Sequence, residues 1–130
     1  MDVRSIEQVP PQVVHQGTVE NWWLVEPREM KPQSLGGYLE LIAVFEIKGG
    51  GAAHLHRHHT HEFYYILGGR AVVTIGSEER SVTQGDLVRV PPDVLHSVRP
   101  ASSNASIRVL AFSMGLKDTA DVDYKDDKEK

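Results

Sequence analysis

Apolar and polar residues alternate along most of this chain, with a period of two rather than the roughly 3.6 of a helix. From Tyr38 to Lys48 the residues Leu39, Leu41, Ala43, Phe45 and Ile47 form one continuous apolar face, as a half-buried strand requires. Gly49-Gly50-Gly51 ends that run. Phe63 to Leu67 and Ala71 to Ile75 are two further β-rich runs joined across Gly68-Gly69, a pattern that predicts a hairpin. Short strands are expected at Arg80 to Thr83, Asp86 to Val90 and Val94 to Val98, divided by Gln84-Gly85 and by Pro91-Pro92-Asp93. Ile107 to Met114 closes the set. Upstream, Thr18 to Glu26 reads as a first strand with Trp22 and Trp23 on opposite faces, one of them available to a pocket mouth or a dimer contact. Pro27, Pro32 and paired glycines make Glu26 to Gly37 a loop or short turn. No helix longer than two turns and no internal repeat is expected.

Many short strands punctuated by Gly and Pro turns predict an all-β sandwich or barrel. Residues 1–17 read as an irregular N-terminal arm, broken by Pro10-Pro11, and residues 18–116 as the β-barrel. Residues 117–130 are almost all charged and form an expected C-terminal tail. Within it, Asp123 to Lys128 looks like part of an acidic epitope tag and is set aside from functional reasoning.

At 130 residues with 40% hydrophobic and 25% charged content, the chain is the size of one domain with its own core. It has no cysteine, which excludes thiolate metal sites, disulfides and cysteine nucleophiles. No apolar run is long enough for a membrane helix, and Met1 to Ser5 lacks a signal-peptide pattern, so the cytoplasm is the expected address. The formal charge of −4, without a basic stripe, gives no reason to expect nucleic acid. The outlier is histidine: five of the seven fall between residues 54 and 61.

On an extended strand His56 and His58 point the same way, and Glu62, an even number of positions on, returns to that face if the turn is short. Two imidazoles and a carboxylate suit iron, manganese, nickel, cobalt or zinc. His96 follows a Pro-Pro turn on a separate strand, and a barrel can bring it beside the others. Four such ligands leave positions open in an octahedron, as a catalytic metal needs. A purification tag is excluded by position, since these histidines are framed by strands. A solvated loop is the expected fate of His59; His54 and His61 are alternative ligands, and His15 stands alone. Tyr64 and Ile66 share the parity of Glu62 and either line the interior beside the metal or fill the core. Tyr65 and Arg70 are expected outside. Leu110, Phe112 and Met114 share a face, as core or as a pocket wall. Arg89, Arg99 or Arg108 would bind an anionic substrate if one turned inward, since an inward unpaired arginine is costly.

The chain resembles the cupins. Gly50, His56, His58, Glu62 and Gly69 have the spacing of the first cupin motif, and Gly85, Pro91 and His96 that of the second. Two positions depart from the pattern: Asp93 stands where the family usually has glycine, and Pro100 where it often has asparagine. Aspartate tolerates left-handed backbone better than most residues, so the turn can survive. The resemblance implies a double-stranded β-helix, or jelly-roll barrel, holding one divalent transition metal per chain through His56, His58, Glu62 and His96. It also implies a small-molecule substrate or ligand and a homodimer with the arm as a candidate for exchange. Family activities range widely, and fold alone does not choose among them. The expectation is a metal-dependent enzyme with dioxygenase-like activity on a small oxygenated substrate, with Glu62 or Tyr64 handling a proton. Its alternatives are a cyclase, isomerase or lyase using the metal as Lewis acid, or a non-catalytic binding module.

Overall fold

In a computed structural model, residues 1–118 and Asp121 are described, with the side chains of His54 and Leu55 excepted. Most of the expected charged tail therefore lies outside the described residues. Ten strands build two antiparallel sheets. They are β1 (Gln12–Val14), β2 (Val19–Val25), β3 (Gly37–Ile47), β4 (Ala53–His56) and β5 (His61–Gly68). After these come β6 (Arg70–Ile75), β7 (Glu78–Thr83), β8 (Leu87–Val90), β9 (His96–Pro100) and β10 (Ile107–Leu116). One sheet runs β1-β2-β3-β10-β5-β8 and the other β4-β9-β6-β7. Two short 3₁₀ turns are the only helical pieces among the described residues, and no helix there is long and apolar enough to cross a membrane.

The period-two pattern is the cause of the packing. Along β10, Ile107, Val109, Ala111 and Ser113 are buried while the residues between them are half-buried or exposed. Ile107, Val109 and Ala111 meet Phe45 and Ile47 of β3, Ile66 of β5, and Ala71, Val73 and Val98 of the opposite sheet in one apolar cluster. This is an all-β barrel, as the strand pattern predicted, in the jelly-roll form that the resemblance implied.

Four local readings are corrected. Phe63–Leu67 and Ala71–Ile75 are not a hairpin: β5 and β6 belong to different sheets, and the chain crosses between them at Gly69. Gly69 has φ +85, and a Cβ there would sit 2.3 Å from the Ser106 carbonyl oxygen, so only glycine makes the crossing. The true hairpin is β6–β7, with Ile75 opposite Glu78 across the Gly76-Ser77 turn. The arm is not wholly irregular, because β1 pairs with β2 in register Val13 to Glu20, and Arg4 ties the N-terminus to Glu29. The face of β3 is not continuous either. Ser113 faces Leu41 but Met114 faces Leu39, leaving Glu40 as an extra residue in a bulge. Finally, Leu110, Phe112 and Met114 are neither core nor pocket wall, since they lie on the outer face of the six-stranded sheet, with Phe112 stacked on Phe63 at 5.0 Å.

Candidate metal centre

His56 ends β4 and His96 begins β9, and these two are direct cross-strand partners in the four-stranded sheet. Glu62 comes from the start of β5 in the other sheet, and His58 from the loop between. The loop is pinned from outside. Asp93 takes φ +62, the left-handed turn its side chain can tolerate, and its backbone N–H donates to the His58 carbonyl at 2.7 Å. Its carboxylate holds His59, which is exposed, at 2.6 Å.

One potential ligand atom from each of His56, His58, Glu62 and His96 lies within 4.8 Å of the others. The imidazole centroids are 4.2 Å apart for His56 and His96, 4.7 Å for His56 and His58, and 5.7 Å for His58 and His96. His96 is only 1% exposed, and its Nδ1–H donates to the Val94 carbonyl at 3.0 Å. That bond leaves the Nε2 lone pair turned into the cluster. There it meets Glu62 Oε2 at 3.3 Å, and neither atom has a hydrogen-bond partner. Two buried lone-pair atoms facing each other repel unless a proton or a cation lies between them. Burial alone would raise the Glu62 carboxyl, yet a proton donated by His96 and positive charge on His58, His96 and His56 hold it below its ordinary value, so the cluster favours positive charge beside Glu62. The nitrogen and oxygen donor set therefore fits a divalent transition metal.

The remaining expected residues are placed as follows. Tyr64 is buried one turn of the pleat from Glu62, its ring 6.1 Å from His96 and edge-on to Phe45. Burial, followed by the nearby Glu62 charge, pushes its phenol well above the usual tyrosine range, so it stays protonated. Ile66 is core, and Tyr65 and Arg70 face outward. His61 is exposed and does not join the cluster, and the His54 side chain lies outside the described residues. Arg99 and Arg108 pair at the surface with Glu79 and Glu46.

Sequence reasoning passed over two residues, Ser113 and Glu40, and set a third, His15, aside as standing alone. His15, in the turn before β2, brings its ring within 5.4 Å of His56. Ser113, buried with its hydroxyl unpartnered, is the cross-strand neighbour of Glu62. Glu40 is 1% exposed and accepts from the Tyr38 hydroxyl at 2.5 Å, with Arg28 4.0 Å from its other oxygen. On a regular strand Glu40 would have been the polar residue between Leu39 and Leu41; the bulge alone turns it inward, and nothing in the sequence announces a bulge.

Among known families, a sequence profile described as Cupin domain matches residues 43–113, more than half of the chain and all four clustered side chains. This chain belongs to the cupin family. The chain is also 31% identical over 85 residues to an uncharacterized protein of Methanocaldococcus jannaschii, covering 65% of this chain and 67% of that one. Among solved structures it is similar to a predicted oxalate decarboxylase from Thermotoga maritima, at TM-score 0.73 and 23% identity, over 86% of this chain and 97% of the other. It is similar also to KdgF from Halomonas sp., at TM-score 0.66 and 16% identity, over 86% and 94%. At these identities the likeness establishes the cupin fold and no more.

Proposed function

We propose that this cupin is a metal-dependent enzyme acting on a small oxygenated organic substrate, with His56, His58, Glu62 and His96 as ligands to one divalent transition metal per chain. The observation that carries the reading is the buried pair of facing lone pairs on His96 and Glu62, which a cation between them would relieve. A bound ion would supply Lewis acidity and, if iron, redox chemistry. The chain's own groups do the rest. His96 is oriented by the Val94 carbonyl, and the Pro-Pro turn and Asp93 hold the His58 loop. The protonated Tyr64 phenol is a donor beside the site, and apolar Leu41 and Phe45 help exclude water from it.

Dioxygenase-like chemistry on a diketone, phenol or flavonol-like compound is the first reading of the reaction. Lewis-acid chemistry of the cyclase, lyase or isomerase type is the second, favoured by the protonated Tyr64 phenol buried beside Glu62, a proton donor that oxygenation does not need. Metal-loaded protein offered such compounds separates them. Oxygen uptake matched to substrate loss supports the first reading, and equal turnover under argon rejects it. A homodimer remains part of the proposal. Leu67, Leu87 and Met114 are exposed on the outer face of the six-stranded sheet, and a second copy would cover them. Light scattering that returns a monomer mass at working concentration counts against pairing.

A further inference from the structure

The inner face of β10 thins out toward the polar end of the barrel, from Ile107 and Val109 to Ala111, Ser113 and Gly115. Each small residue there faces a large inward neighbour. Ala111 is the cross-strand partner of Tyr64, Ser113 of Glu62, and Gly115 of Tyr38, whose ring a Cβ on Gly115 would meet at 2.9 Å. Packing at position 113 therefore asks only for a small side chain, and alanine would meet that demand as well as serine.

The one oxygen by which serine differs from alanine is buried here and has no hydrogen-bond partner among the described residues. A hydroxyl closed off in that way destabilises the fold, and an alanine methyl would not. Its surroundings narrow what it can serve. Its inward neighbours along β10 are Ala111 and Gly115, and its partner on β3 is Leu41, none with a polar side-chain atom. Glu40, the extra residue of the bulge beside Leu41, already accepts from the Tyr38 hydroxyl and has Arg28 4.0 Å from its other oxygen. On the β5 side the partner is Glu62. Glu62 Oε2 faces the Nε2 atoms of His96 at 3.3 Å and His58 at 3.8 Å, and it too lacks a hydrogen-bond partner.

We infer that Ser113 is a positioning residue for Glu62: with a divalent ion bound, its hydroxyl donates to the Glu62 carboxylate and holds it in place as a ligand. The inference rests on the metal reading above. A carboxylate that ligates through one oxygen keeps lone pairs to spare, and ligands of this kind are held by donors behind them. The three histidines are not those donors, because a ligating imidazole turns a lone pair to the ion. His96 already spends its N–H on the Val94 carbonyl. With Ser113 holding Glu62, the Tyr64 phenol is left for the substrate. The Ser113 hydroxyl thus costs stability in the metal-free chain and contributes only when the ion is bound.

Cobalt(II) titrated into the metal-free full chain and into its Ser113→Ala variant, with a melting curve of each before metal is added, tests it. Without metal the variant should melt about 3 °C above the parent, because the unpartnered hydroxyl is gone. It should nevertheless bind cobalt roughly tenfold more weakly, the loss that follows when a ligand is deprived of its outer hydrogen bond. Those opposite signs separate a positioning role from a purely structural one, which would lower melting temperature and affinity together. A variant that melts below the parent, or one that binds cobalt as tightly, would overturn the inference. If affinity falls in Tyr64→Phe and not in Ser113→Ala, the donor to Glu62 is Tyr64. A parent chain that binds no cobalt would remove the metal reading and the inference with it, whereas equal affinity in parent and variant would remove the inference alone.

Discussion

The same strands have different characters at their two ends. Read inward along β10, Ile107, Val109 and Ala111 give way to Ser113 and Gly115; along β5, Ile66 gives way to Tyr64 and Glu62. On β3 the order is Ile47, Phe45, Ala43 and Leu41, then Glu40 and Tyr38. One end of the barrel is an aliphatic core of ordinary kind. At the other, Glu62, His96, Ser113 and Glu40 are all buried, each with a polar atom lacking a hydrogen-bond partner. Folding stability resides in the first end, and the second carries buried polar groups that cost stability and are useful only if something binds to them.

The largest expected effect breaks the aliphatic end. Ile66→Ala removes a side chain that is 1% exposed and should destabilise the fold by about 3 kcal/mol, read by denaturant unfolding. A loss below about 1 kcal/mol would mean that the core is not where the burial pattern puts it.

Next comes the polar end. Added divalent metal at roughly a hundredfold over its dissociation constant should stabilise the chain by about 2.7 kcal/mol, seen as a rise in melting temperature. Glu62→Gln should remove most of that rise. An equal rise in the variant would place the ion elsewhere.

How much of this contrast was legible in the sequence depends on the kind of signal each residue leaves. The four clustered side chains could be read because motif spacing is one-dimensional, and Gly69 and Gly85 must turn; strand parity was not the cause, since His58 lies in the loop beyond the end of β4. The β5–β6 hairpin was misread because a glycine pair marks a reversal without saying whether the next strand returns to the same sheet. Glu40 was invisible for a different reason, since a bulge inverts parity locally and is set by the partner strand, β10. The place of His15 beside His56 depends on which turns face each other in three dimensions, and no local pattern carries that.

The smallest effect sharpens the link between turn and ligand. Asp93→Ala places a residue without a helpful side chain at φ +62 and should cost about 1 kcal/mol, whereas Asp93→Gly should be close to neutral. Stability measurements on the pair decide it, and an alanine variant as stable as the glycine one would remove the turn from the account.

The central claim, that β4, β5 and β9 meet around a metal, has one direct test. Metal content of tag-free protein and of its His96→Ala variant, measured by mass spectrometry after the same purification and metal loading, should fall from about one ion per chain to a small fraction of that. Equal content in the two proteins, with the variant folded, would contradict it.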